Sequence, residues 1–200
     1  MIKIILISFL LIFLSTCTAG NTVMTQKQTA EKINPFSWPI DNALVRVSKK
    51  SFGIQVSPNN SPVSPERFSG YHTGVDFETF PNEDDLDINV YAICNGPIVF
   101  KQYVNGYGGT LVQTCNLNNQ NITVLYGHLK LSDISAELER PLKTGEKIAI
   151  LGKEFSSETD GERKHLHLAI HKGSDLNLLG YVQRAELLNE WIDPMTVLDL

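Results

Sequence analysis

The sequence predicts a mainly β fold, an antiparallel β-sheet or barrel-like sandwich with few short helices. Three observations carry that prediction. Eight segments of three to seven residues are rich in β-branched or aromatic side chains and are bounded by Gly, Pro or Asn. A glycine-rich stretch, Asn105-Gly106-Tyr107-Gly108-Gly109, separates two of them, as a hairpin turn with positive φ requires. Helical character is confined to two weak stretches, residues 132–139 and 184–191, too little for a helical or α/β architecture.

In chain order, the sequence opens on an export signal. Lys3 is followed at residues 4–14 by an apolar run interrupted only by Ser8. That run is shorter than the ~20 residues a membrane span needs and suits a signal-peptide core. Cleavage after Ala19 places Cys17 and Ala19 at the −3 and −1 positions and defines a signal over residues 1–19. Leu14-Ser15-Thr16-Cys17 also resembles a lipoprotein box, which defines a signal over residues 1–16 and anchors the chain to a membrane through a lipidated Cys17. Both processing sites stay open. Either one predicts an exported protein, periplasmic, associated with the cell envelope or secreted. Residues 20–34 are polar, rich in Thr and Gln, and read as a flexible tether to a single domain over residues 35–200.

The strands expected in that domain are residues 45–47, 52–56, 90–93, 98–104, 110–114, 122–126, 147–151 and 166–171. Gly106 to Gly109 form no phosphate cradle, because Thr110-Leu111-Val112 continues as a strand where a cradle needs a helix N-terminus. Cys94 and Cys115 flank the hairpin near its open end, and an even pair in an exported chain predicts an intrachain disulfide rather than two buried thiols. Neither has a CxxC partner, so neither is read as a metal ligand.

With 200 residues, 42% of them apolar and 20% charged, the chain is long and apolar enough for one packed core and is not a disordered segment. A net charge of −5 without a basic cluster argues against nucleic acid as a partner.

Of five histidines, four carry the functional argument together with Asp76. His165-Leu166-His167-Leu168-Ala169-Ile170 alternates strictly, so His165 and His167 share one face of a strand while the apolar residues turn to the core. That pair alone also fits a solvated strand face. His72 and Asp76 are four residues apart, ~13 Å in a straight strand, so a bend near Gly74 is required if both grip one ion. His128 ends an apolar strand in Tyr126-Gly127-His128-Leu129, where a side chain can project into a cleft. His171 lies ~13 Å beyond His167 along the strand and is expected at the rim of the site or outside it.

Together, HxxxD, YGHL and HLH, in that order, resemble the LytM/lysostaphin-type zinc endopeptidases, whose fold is of the duplicated hybrid motif type. The likeness runs from Phe52 to Leu198 and takes in Phe52-Gly53, Tyr91-Ala92, Asn95-Gly96, Gly106-Tyr107-Gly108-Gly109, Thr144-Gly145-Glu146-Lys147-Ile148, Leu151-Gly152 and Trp191-Ile192-Asp193-Pro194. The resemblance implies a peptidoglycan endopeptidase with one Zn2+ per chain, held by His72, Asp76 and His167. It implies further that His165 and His128 stand unligated beside the metal as catalytic groups, one taking a proton from water and the other donating to the oxyanion. Which does which stays open. The expected substrate is a peptide cross-link or stem of peptidoglycan, the scissile bond and the oligomeric state being undetermined.

Two stretches depart from the family pattern. Residues 158–164, Glu-Thr-Asp-Gly-Glu-Arg-Lys, form a charged run before HLH where the family has small residues, and residues 172–190 form a long connection before Asp193-Pro194. The first reads as a solvated loop or a groove wall, and neither is expected to touch a proposed ligand. A non-catalytic relative that activates other wall hydrolases is the alternative reading; filled ligand and catalytic positions speak against it. A zinc carrier would need a His-rich flexible segment, and residues 21–32 contain no His.

Overall fold

The computed structural model describes residues 34–134 and 136–198. The expected signal and tether lie outside the described residues apart from Asn34, as do both processing sites and Cys17. Twelve strands are present: β1 (Gln55–Val56), β2 (Gly70–His72), β3 (Gly74–Glu78), β4 (Asn89–Tyr91), β5 (Gly96–Val104), β6 (Gly108–Leu117), β7 (Gln120–Leu129), β8 (Pro141–Leu142), β9 (Lys147–Ile150), β10 (His165–Lys172), β11 (Tyr181–Val182) and β12 (Trp191–Ile192). Two single-turn helices, α1 (Ala43–Arg46) and α2 (Met195–Leu198), flank them. Among the described residues no helix is long and apolar enough to cross a membrane.

Every pairing is antiparallel. The main sheet runs β12-β10-β7-β6-β5-β8, with β3 also on β10, while β1-β2-β11 and β4-β9 form smaller sheets. Among the described residues the sheets form no closed barrel. β10 is the hinge of the arrangement. One of its edges pairs with β7, and its other edge pairs first with β3 and then with β12.

The alternation read in β10 holds. Leu166, Leu168 and Ile170 are fully buried in the main core with Val75, Phe77, Val124 and Tyr126. The opposite face is also covered, by a smaller cluster of Tyr107, Val112, Leu125, Ala169 and Trp191. The histidines of β10 therefore sit between two apolar layers rather than on a solvated face.

The β5–β6 hairpin turns at Gly106 (φ 89°) and Gly108 (φ 71°), the positive φ that its glycines predict. The β6–β7 hairpin turns at Asn118 (φ 52°) and Asn119 (φ 64°), a two-residue turn whose twist matches the strands it joins. At the open end of the first hairpin Cys94 and Cys115 form a disulfide, their Cα atoms 6.2 Å apart. Beside it Tyr126 donates to Gln113 Oε1 (3.1 Å) and accepts from Ile93 N (2.9 Å), while Gln113 Nε2 donates to Cys94 O (2.7 Å). The polar groups of that buried relay are thus paired.

Three expectations need correction. Residues 45–47 are no strand: Ala43–Arg46 makes one helical turn. It is set by the buried Arg46, whose guanidinium reaches Asp41 O (2.6 Å), Glu78 O (3.0 Å) and Glu83 (2.7 Å), so tertiary contacts override the β-branched pattern. Of residues 52–56 only Gln55–Val56 pairs as a strand. The two expected helical stretches shrink to 3-10 turns, Leu131–Asp133 and Ala185–Glu190.

Two outcomes follow from this packing. The disulfide closes a loop spanning 21 positions, so chemical denaturation with and without reductant is expected to differ by about 3 kcal/mol. His171 packs edge-on against Trp191, ring centroids 4.8 Å apart, and its buried Nδ1 has no partner among the described residues. Burial lowers its pKa, against the pull of Glu190 and Asp175. Below the ordinary histidine pKa the unfolded chain takes up a proton that the fold refuses, so stability falls with pH there. Melting temperatures of His171→Phe are expected to fall less steeply from pH 7 to pH 5 than those of the wild type.

Candidate metal centre

His72 is the last residue of β2, and Asp76 lies inside β3. β2 pairs with β11, placing His72 opposite Tyr181, whereas β3 pairs with β10, placing Asp76 opposite His167. The chain changes sheets at Thr73, whose N–H and hydroxyl donate to the carbonyls of Gly180 (3.0 Å) and Leu179 (2.7 Å). That switch collapses the straight-strand distance, and His72 Nε2 stands 3.3 Å from Asp76 Oδ1. The bend sits where the sequence required it, but Gly74 serves it differently from the expectation. Its φ is not left-handed. A Cβ there would collide with Leu168 O and come within 2.9 Å of the His167 ring, so glycine permits β3 to close on β10.

Three donor atoms converge. His72 Nε2 to His167 Nδ1 is 3.0 Å, His167 Nδ1 to Asp76 Oδ1 is 3.1 Å, and all three residues are buried. An ion held tetrahedrally at the usual zinc–nitrogen and zinc–oxygen distances spaces its ligand atoms by about 3.3 Å, so the donors fit such an ion. The tautomers agree. His72 Nδ1 donates to Ser51 O (3.2 Å), which turns the lone pair of Nε2 inward. His167 Nε2 lies 3.4 Å from the Tyr107 hydroxyl, so that ring too has an outer partner on the side away from the cluster. Two lone pairs facing each other at 3.0 Å repel unless a proton or cation lies between them.

The second pair of histidines stands beside this trio. His165, opposite Glu78 in the ladder, donates from Nδ1 to Arg163 O (2.9 Å) and holds Nε2 3.3 Å from Asp76 Oδ2. His128 sits in a β-bulge, where the β6–β7 register slips between Leu129 and Tyr126. Its φ is 62°, a left-handed conformation that a non-glycine residue adopts at some cost. The bulge re-aims the side chain, and the His128 ring lies 4.2 Å from that of His165. Its Nδ1 is buried and has no partner among the described residues. Gly127 beside it leaves room for Tyr107, whose Cδ1 a Cβ would meet at 2.6 Å.

Burial alone would raise the pKa of Asp76, but the nearby His165 and His72, and then His165 and His167 at hydrogen-bond distance, hold it well below the ordinary carboxylate range. Burial brings His167 down to about 4, against the pull of the Asp76 carboxylate, which accepts from the ring when it is protonated. Burial, then the nearby His165, holds His128 well below the ordinary imidazole value. Tyr107 is raised by burial and by Asp76 and stays a neutral phenol.

Asp76, His128, His165 and His167 open on a cavity of about 310 Å³, walled by Phe68 and Tyr181 among others. His171 is not part of this group. Sequence reasoning missed several neighbours: Tyr107, read only as part of a turn; Tyr181, whose ring lies 5.2 Å from His72; and Lys50, buried, bound to Glu66 (2.6 Å) and to the Tyr181 hydroxyl (2.9 Å). No local pattern marks them, since each acts through tertiary contact. The charged run is also corrected: Arg163 Nη2 touches the Asp76 carboxylate at 2.8 Å.

The family model of peptidase family M23 matches residues 70–178, more than half of the chain, and the chain belongs to that family. Its fold is similar to that of the catalytic domain of the antimicrobial peptidase lysostaphin from Staphylococcus simulans. The TM-score is 0.52 and the identity 22%, over 79% of this chain and 98% of that one. It is similar too to cbpa from L. salivarius REN, with TM-score 0.52 and 20% identity over 83% of this chain and 95% of that one. Among curated proteins no relative matches the chain.

The trio predicts a measurable stoichiometry. Purified protein dialysed against excess zinc and then against metal-free buffer is expected to keep one equivalent by elemental analysis, and His72→Ala to keep none. Full occupancy in that variant would break the ligand set.

Proposed function

We propose that the chain is an exported zinc-dependent endopeptidase that hydrolyses peptide bonds in peptidoglycan. The observation that carries this reading is the convergence of His72 Nε2, His167 Nδ1 and Asp76 Oδ1 within 3.3 Å of one another, beside a cavity that Asp76, His167, His128 and His165 line. Three protein donors leave a coordination position open, the arrangement of a catalytic rather than a structural zinc site. Membership of a peptidase family supports peptide-bond hydrolysis, and the likeness to LytM/lysostaphin-type enzymes supports the bacterial wall as substrate.

When bound, zinc supplies Lewis-acid polarisation of a carbonyl and acidifies water near neutral pH. The chain's own residues do the rest. His72, Asp76 and His167 are the ligands. His165 takes the proton at Nε2, because its Nδ1–H is committed to Arg163 O. His128 is kept neutral by burial and by the proximity of His165. It keeps one N–H for the oxyanion, and a buried Nδ1 without a partner among the described residues supports a group reserved for substrate. Tyr107 and Tyr181 line the cavity beside them.

Incubation of the mature protein with purified sacculi, read by mass spectrometry of released fragments, tests the reading. Peptide-bond cleavage is expected with zinc, absent with chelator, and reduced by about 100-fold or more in His165→Ala. Intact sacculi under zinc-replete conditions would favour a non-catalytic scaffold that activates other wall hydrolases.

A further inference from the structure

We infer that Arg163 is a positioning residue for the metal centre, holding one oxygen of Asp76 so that the carboxylate offers only the other to the cation. The inference rests on the metallopeptidase reading above. Its basis is the division of partners at Asp76. Oδ1 faces His167 Nδ1 (3.1 Å) and His72 Nε2 (3.3 Å), whereas Oδ2 faces Arg163 Nη2 (2.8 Å) and His165 Nε2 (3.3 Å). An unrestrained carboxylate can give a cation both oxygens. A charge-assisted hydrogen bond to Oδ2 restricts it to one, which keeps the centre at three protein donors with a position left for substrate.

Arg163 is itself fixed. Its Nε donates to Glu78 Oε2 (3.0 Å) and its Nη2 to Glu78 Oε1 (2.5 Å), and Glu78 is further paired with Lys49 (3.3 Å). Asp76 and Glu78 lie two apart on β3, opposite His167 and His165, so one guanidinium spans both carboxylates. Asp76 is 2% and Glu78 8% exposed in their side chains, and two such acids side by side need a shared cation between them. The planar fork of arginine makes that bridge, and a lysine ammonium on its flexible stem does not reproduce it. The charged run that departs from the family pattern thus supplies the support of a ligand, by contact rather than by ligation.

The test is zinc affinity of the full chain, measured by competition with a chromophoric chelator, alongside the absorption spectrum of the cobalt-substituted protein. Arg163→Gln is expected to weaken zinc binding by about 10- to 100-fold and to change the cobalt spectrum. Arg163→Lys is expected to lose less, and Glu78→Gln, which removes the anchor but keeps the arginine, to weaken binding as well. Arg140→Gln, the same charge change at an exposed pair with Glu146, is expected to leave both readouts unmoved. Wild-type affinity and spectrum in folded Arg163→Gln would overturn the inference; if that variant does not fold, wild-type values in both Arg163→Lys and Glu78→Gln would do the same. A wild-type chain that takes up no zinc would instead remove the metallopeptidase reading, and this inference with it.

Discussion

The Asp76 carboxylate is the constraint on which the rest of the structure depends. It is 1% exposed and lies within 3.3 Å of three imidazoles and a guanidinium. A charge buried so deeply is tolerated only where it is paired and hydrogen-bonded. Its partners come from the end of β2, from β10 and from the loop before β10, so those segments have to meet at one point. The sheet switch at Thr73, the close approach of β3 to β10 over Gly74 and the pairing of Asp76 with His167 are the means by which they do.

Around that point the backbone decides what each imidazole does. Ser51 O and Arg163 O accept from the Nδ1 atoms of His72 and His165 and so commit their Nε2 atoms to the centre. His128 reaches the same place through a bulge and a left-handed backbone. Strain of that kind persists where surrounding structure over-determines it, and here the β6 and β10 ladders on either side of β7 hold it.

The two stretches that depart from the family pattern are parts of the cavity wall and its bracing. Asp160 accepts from Gly106 N (2.8 Å) and from the Tyr103 hydroxyl, tying the tip of the β5–β6 hairpin to the loop before β10. Arg67 joins them by donating to Asp160 O (2.7 Å) and Glu162 (2.6 Å). Lys164 donates to the carbonyls of Glu83, Asp84 and Leu86. From the later stretch, Gly180 lets the Tyr107 hydroxyl approach to within 2.6 Å of where a Cβ would stand. Charge patterning in the sequence marks such residues as polar and says nothing of which polar group each will find.

What the sequence determined by itself was periodic or chemical. Alternation along residues 165–170 places two histidines on one strand face, glycines at 106 and 108 turn a hairpin, and two cysteines at its open end form the disulfide. The spacing of His72 and Asp76 even demanded a bend between them, because strand rise fixes how far apart four residues lie. Those rules are local, and they hold wherever the segment ends up. Tertiary structure alone decided that residues 43–46 coil around a buried arginine, that Gly74 is there for contact rather than for φ, and that Tyr107, Tyr181, Lys50 and Arg163 gather at the centre. Each of those outcomes depends on which distant atom fills the space beside a side chain, and that is settled only when the sheets pack.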